Sequence, residues 1–215
     1  MLTWSRPDGP PLALAAPDAV IVGYAGRDAA AVEAHVRELA EHGVAPPVEV
    51  PALWEIPGSL VSQAPSLAAR PGATSGEVEP VLVLTADGWF LTVGSDHTDR
   101  EMEATSMVAA KRACPKMVGG ACVALEPLAR DWDAVELSSE IRVGGRWLAY
   151  QRGMLAQLRP LAWYRERFAG RENVVVFCGT VPTVDALRTD ANAFRGRLWA
   201  PSGAELTVEY EVVGA

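Results

Sequence analysis

Residues 77–98 read EVEPVLVLTADGWFLTVGSDHT: two apolar runs flank Asp87-Gly88, with Glu77 and Glu79 at one end and Asp96 at the other. Asp-Gly between alternating apolar runs is a strong two-residue hairpin signal, because a type I′ turn needs positive φ at both central positions. Centring the turn there sets Ala86 opposite Trp89 and, counting outward, Glu79 opposite Asp96. Residues two apart in a strand share a face, so Glu77, Glu79 and Asp96 are predicted to project to one side at the open end. Carboxylates so close must protonate or be neutralised by a cation. Oxygen-only ligands suit a hard ion, Mg²⁺ or Mn²⁺ before Zn²⁺, and three protein ligands leave about three octahedral positions for water or a chelating substrate. The plainer reading is a solvated hairpin end. Pro80 occupies a position that should donate to the ladder, which predicts an edge strand or a bulge there.

Outward from the hairpin, the chain reads as a soluble, β-rich α+β protein. Its 215 residues are 49% hydrophobic and 21% charged, the balance of a globular chain able to fold as one domain over 1–215. The net charge of -8, with no basic run, argues against a nucleic-acid partner. No apolar segment approaches the roughly 20 residues of a membrane helix. Three cysteines without a CxxC pair fit a reducing, cytoplasmic setting.

AVIVGY at 19–24 reads as a buried strand, followed by a helix over 28–42 with Asp28 as N-cap. Val32, Val36, Leu39 and Ala40 would face the core, with His35, Glu38 and His42 on a neighbouring stripe. Six prolines between 44 and 73 predict an extended, irregular connection, so that 1–73 comprises a strand, a helix and a lid-like segment. Further expectations are a helix over 99–113, a hairpin over 137–151 around Gly144-Gly145, a helix near 153–168, and strands at 174–180 and 204–213.

The ordered set of Glu77-x-Glu79, GSDHTDRE, and CPK resembles the fumarylacetoacetate hydrolase family. That family has a Glu-x-Glu pair, then an Asp, an arginine four residues on and a lysine about 20 residues on; Asp96, Arg100 and Lys116 match these positions here. HVRE at 35–38 is similar to the His-x-x-Glu of the smaller acylpyruvase-like members, and FCGT at 177–180 to a strand ending in Gly-Thr. The closing PSGAELTVEYEVVG matches the family's final turn and strand. The likeness spans roughly residues 20–213 and points to a divergent branch of unknown function.

The resemblance implies a β-roll with few helices and a Mg²⁺- or Mn²⁺-dependent enzyme held by Glu77, Glu79 and Asp96. It implies a hydrolase cleaving a carbon-carbon bond of a small 2-oxo acid or 1,3-dicarbonyl, acylpyruvate-like, through an enolate. His35 would take a proton from water with Glu38 orienting it, or be an exposed helix histidine. Lys116 would face an enolate oxygen; Gly179 and Thr180 would contact substrate, the threonine alternatively satisfying its own backbone. Arg100 would hold the substrate carboxylate or brace Asp96. His97 and Cys178 are expected to be structural. The same platform would serve a decarboxylase, hydratase or isomerase; the rival from another class is a non-catalytic β-rich binding domain. Relatives of this kind are commonly homodimers. Glu101 and Glu103 depart from the family's Asp and Gln, and the Asn-Tyr preceding the HxxE helix is absent.

Overall fold

The computed structural model describes residues 1–41 and 43–214; His42 lies outside the described residues. In chain order, β1 (Leu2–Trp4), β2 (Leu12–Leu14) and β3 (Asp18–Gly23) precede α1 (Ala29–Glu41), and the Pro-rich stretch holds β4 (Ala52–Ile56), β5 (Val61–Ser62) and β6 (Ser66–Ala69). β7 (Thr74–Ser75), β8 (Val78–Thr85), β9 (Gly88–Ser95) and β10 (Thr98–Asp99) lead into α2 (Arg100–Glu103) and α3 (Met107–Arg112). β11 (Lys116–Val118), β12 (Val123–Ala124), β13 (Glu136–Val143), β14 (Arg146–Met154), α4 (Leu161–Arg167), β15 (Val174–Phe177), β16 (Ala193–Trp199) and β17 (Glu205–Gly214) complete the chain.

Two sheets carry the fold. The larger runs β4-β3-β15-β8-β9-β11-β5, with β12 also on β9, and the smaller runs β14-β13-β16-β17-β6. Successive side chains of the central strands go to opposite faces. Val20, Val22, Leu82, Leu84, Leu91 and Val93 meet Leu137, Phe194, Leu198 and Tyr210 of the smaller sheet, whereas Ile21, Val81, Val83, Phe90 and Phe177 meet Trp4 and Leu12 of the β1–β2 hairpin. Both faces of β8 and β15 are therefore covered, which explains why VLVL and VVVF show continuous apolar character instead of alternation. The acidic ends of β8 and β9 lie on the β1–β2 side.

The hairpin closes one residue earlier than its Asp-Gly pair suggests. Thr85 pairs with Gly88, Glu79 faces Gly94, and Asp96 N–H donates to Glu77 O at 3.0 Å. Only Gly88 of this turn has a positive φ, 128°, so the turn residues are Ala86 and Asp87 and the glycine absorbs the unusual backbone next to them. The predicted opposition of Glu79 to Asp96 is corrected to Glu77 opposite Asp96. This changes the pairing by two positions, an even number, so all three acids keep their common face.

Pro80 also calls for a correction: β8 is central, flanked by β15 and β9. Cys178 N–H donates to Pro80 O at 3.1 Å. The return bond that proline cannot make is replaced, since Tyr164 Oη donates to Cys178 O at 2.6 Å. The Gly144-Gly145 hairpin forms as expected, with φ of 56° and 79°.

Helix expectations were too continuous. Asp28 caps α1, accepting from Ala30 N–H at 2.9 Å, but only Val32 of its apolar stripe is buried. The 99–113 helix divides at 104–106, because Asp99 caps α2 and Ser106 starts α3 by accepting from Ala109 N–H at 3.2 Å. The Pro-rich segment is extended and largely irregular, as expected, but it carries short strands that pair with remote ones: β5 in parallel with β11, and β6 with β17.

Candidate metal centre

Oxygens of Glu77, Glu79 and Asp96 lie within 4.8 Å of one another at the open end of the β8–β9 hairpin. Glu79 and Asp96 are buried, and the Glu77 side chain is 21% exposed, which gives the cluster one accessible side. The sheet register puts Gly179, at the end of β15, beside this cluster, where its N–H donates to Glu79 Oε2 at 2.8 Å. Gly179 has φ of 93°, and a Cβ there would stand 2.4 Å from Ala25 Cβ, so only glycine brings this donor so close.

Cations surround the acids. Lys116 Nζ contacts Asp96 Oδ1 at 2.8 Å and also bonds the His97 carbonyl, with none of its side chain exposed. Lys111 Nζ lies 3.0 Å from Glu77 Oε2, 2.6 Å from Asp96 Oδ2 and 3.1 Å from Thr98 Oγ1. Arg100 reaches Glu77 at 3.3 Å and Glu103 at 2.9 Å and donates through Nε to Ser75 Oγ at 2.7 Å. Its guanidinium thus serves Glu77 and Glu103, while Asp96 is held by the two lysines.

These contacts divide the titration of the acids. Burial pushes the Asp96 carboxyl up, yet Lys111 and Lys116 outweigh it and hold the group well below the ordinary range. Glu77 is likewise burdened by burial and lowered on balance by Arg100 and Lys111. Glu79 goes the other way: burial, then Asp96 and Glu77, raise it well above its ordinary value. Burial also pulls the Lys116 ammonium below its usual value, against the pull of Asp96.

A divalent cation fits this set on two observations. Asp96 Oδ2 is buried without a hydrogen-bond partner, although an ammonium stands 2.6 Å away. Glu79, which accepts a hydrogen bond from the Gly179 N–H, is the acid whose charge the other two carboxylates both penalise. An ion touching all three would satisfy the first oxygen and remove the second conflict.

Thr180 Oγ1 donates to Val78 O at 2.7 Å and accepts from Gln151 Nε2 at 2.7 Å, so its proton is committed to the strand beside Glu77 and Glu79. His97 packs on the opposite face, with Nδ1 3.0 Å from Tyr210 Oη and Nε2 2.9 Å from Thr74 Oγ1; burial pushes it down to about 3. Cys178 is buried in the core.

His35 and Glu38 sit apart from the acids on α1, 58% and 66% exposed, with Nδ1 and Oε2 3.4 Å apart. The His35 ring lies 6.3 Å from Tyr24, which in turn lies 6.0 Å from Trp54. Burial raises the Tyr24 phenol, with Glu103 next in effect and Lys111 opposing. Tyr24 holds φ of 56°, the left-handed region that a non-glycine residue occupies at a cost.

Sequence reasoning missed Lys111 and Tyr24. The signal for Lys111 was Ser106, an N-cap that restarts the helix and turns residue 111 toward the acids. Tyr24 carried no comparable signal.

This two-sheet, β-rich fold is shared with solved structures described as fumarylacetoacetate hydrolase-like. The structure of 2-keto-3-deoxy-D-arabinonate dehydratase complexed with magnesium and 2,5-dioxopentanoate superposes with a TM-score of 0.65 at 13% identity, over 93% of this chain and 74% of that one. A protein of Yersinia pestis CO92, provisionally described as of the fumarylacetoacetate hydrolase family, gives 0.62 at 19% identity over 98% and 100%. A protein of Burkholderia cenocepacia, provisionally described as a fumarylpyruvate hydrolase, gives 0.63 at 18% over 99% and 91%. No curated protein matches in sequence. Residues 22–210 match the family described as "Protein of unknown function (DUF2848)", and the chain belongs to that family.

Proposed function

We propose that this protein is a divalent-metal-dependent hydrolase that cleaves a carbon-carbon bond of a small acylpyruvate-like 2-oxo acid or 1,3-dicarbonyl. The observation that carries the reading is the convergence of Glu77, Glu79 and Asp96 within 4.8 Å on a face that is open at Glu77. Mg²⁺ or Mn²⁺ held there would supply Lewis-acid polarisation of a substrate carbonyl and stabilise developing negative charge. Glu77, Glu79 and Asp96 would be its ligands; Lys116 fixes Asp96 from the buried side and helps to keep it ionised. Gly179 N–H orients Glu79, and Thr180 with Gln151 fixes the backbone of Val78 between the two glutamates. His35, oriented by Glu38, accepts the proton of the attacking water once α1 and Tyr24 draw over the substrate. The named chemistry of the magnesium-containing dehydratase structure supports the 2-oxo acid class.

The exposure of His35 favours a second reading, in which the same cluster stabilises an enolate for decarboxylation, hydration or isomerisation without water activation from α1. His35→Ala separates the two: hydrolysis is lost under the first reading and turnover persists under the second. A reducing, cytoplasmic setting belongs to the same proposal, supported by the three buried free cysteines, and association as a homodimer is tested by sedimentation. The decisive assay screens acylpyruvates, other 2-oxo acids and 1,3-dicarbonyls with Mg²⁺ supplied and then chelated. Product that appears with the ion and vanishes with chelator supports the proposal; no product from any member, or turnover indifferent to chelation, contradicts it.

A further inference from the structure

We infer that Lys111 is a tethered counter-ion which occupies the position of the divalent cation in the metal-free protein and must be displaced for the ion to bind. The inference rests on the metal-site reading above and deepens it. The Lys111 ammonium touches two of the three candidate ligands, Glu77 at 3.0 Å and Asp96 at 2.6 Å, and Thr98 Oγ1 at 3.1 Å, while its side chain is only 7% exposed. It arrives from α3, which Ser106 caps, not from either hairpin strand.

Two features make it a competitor instead of a neighbour of the ion. Oxygen ligands close to about 2.0–2.1 Å around Mg²⁺. An ammonium held 3.0 Å from Glu77 and 2.6 Å from Asp96 would then face a divalent charge on the same carboxylates, and Coulomb repulsion between the two cations favours its withdrawal. Its contact with Asp96 Oδ2 is moreover an ion pair without hydrogen-bond geometry, so leaving breaks no aligned bond to that oxygen. Lys116 differs: it contacts only Asp96 among the three acids, through Oδ1, and anchors to the His97 carbonyl, whereas Lys111 bridges Glu77 and Asp96. Lys111 therefore holds the acids together in the absence of metal and weakens the affinity for it.

The test is Mn²⁺ binding to the intact chain, read from the paramagnetic resonance signal of free Mn²⁺, together with thermal unfolding in chelator. Lys111→Met should bind Mn²⁺ about tenfold more tightly than the wild type, as expected if removing the competing cation relieves roughly 1.4 kcal/mol. It should also unfold at lower temperature in chelator and regain the difference with Mn²⁺. Lys111→Gln, which keeps a polar side chain, serves if the methionine variant does not fold and should shift affinity in the same direction; Lys111→Arg should stay near the wild type. Equal or weaker Mn²⁺ binding by the neutral variants, with binding still abolished by Asp96→Asn, overturns the displacement and leaves the metal site standing. Absence of Mn²⁺ binding in every protein overturns both.

Discussion

Glu79 is the residue on which metal and proton meet. Its carboxyl is raised above the ordinary 4.5 by burial and by Asp96 and Glu77, so the folded metal-free protein keeps a proton that the unfolded chain has released. The stability this provides is complete below about 4.5 and is lost as pH rises through the folded-state value. Metal-free protein should accordingly lose stability with rising pH in that window, Glu79→Gln should flatten the dependence, and metal should remove it. Binding of the ion should expel about one proton at mildly acidic pH, measured by calorimetry in buffers of different ionisation enthalpy. Affinity that falls as pH rises would contradict the assignment. Lys116→Met tests the other buried charge: it leaves Asp96 without its fully enclosed partner and should destabilise by about 3–5 kcal/mol in chemical denaturation. A loss below 1 kcal/mol would show that Lys111 alone suffices for Asp96.

At the scale of elements, the site depends on how β8, β9 and β15 end. Gly179→Ala would drive a methyl against Ala25 at a backbone with φ of 93°, so the strand end must shift and carry its N–H away from Glu79. We expect about 1–3 kcal/mol of destabilisation with weakened Mn²⁺ binding; a folded variant of unchanged affinity would show that Glu79 needs no such donor. Asp99 both caps α2 at Met102 N–H and pairs with Arg70 at 2.8 Å. Asp99→Ala should cost about 1–2 kcal/mol, read by thermal unfolding, and disturb α3 and Lys111 beyond it.

These elements also show what the sequence could and could not convey. Strand periodicity put three acids on one face, and that survived a turn displaced by one residue because the pairing changed by an even step. The turn itself was misread because a glycine at positive φ can follow a two-residue turn as well as form half of one. Pro80 suggested an edge because a missing donor is visible in sequence, whereas Tyr164, 84 residues away, which supplies the substitute, is not. β5 and β6 were hidden among prolines because their partners, β11 and β17, are remote. Lys111 lay inside a helical pattern whose interruption at Ser106 decides where it points.

Across the whole molecule, two sheets enclose one core and the β1–β2 hairpin closes the second face, so the acidic end is the place where buried charge is tolerated. No described helix is long and apolar enough to cross a membrane. With Glu79 protonated, the carboxylates of Glu77, Asp96 and Glu103 balance Lys111, Lys116 and Arg100. A divalent ion bound in exchange for the Glu79 proton would turn that balance positive for an anionic substrate. The most direct measurement is anomalous diffraction at the manganese edge from crystals soaked in Mn²⁺. The account predicts one peak bounded by the carboxylates of Glu77, Glu79 and Asp96, with the Lys111 ammonium moved off them. A map without a peak there, with that ammonium still on Glu77 and Asp96, would contradict it.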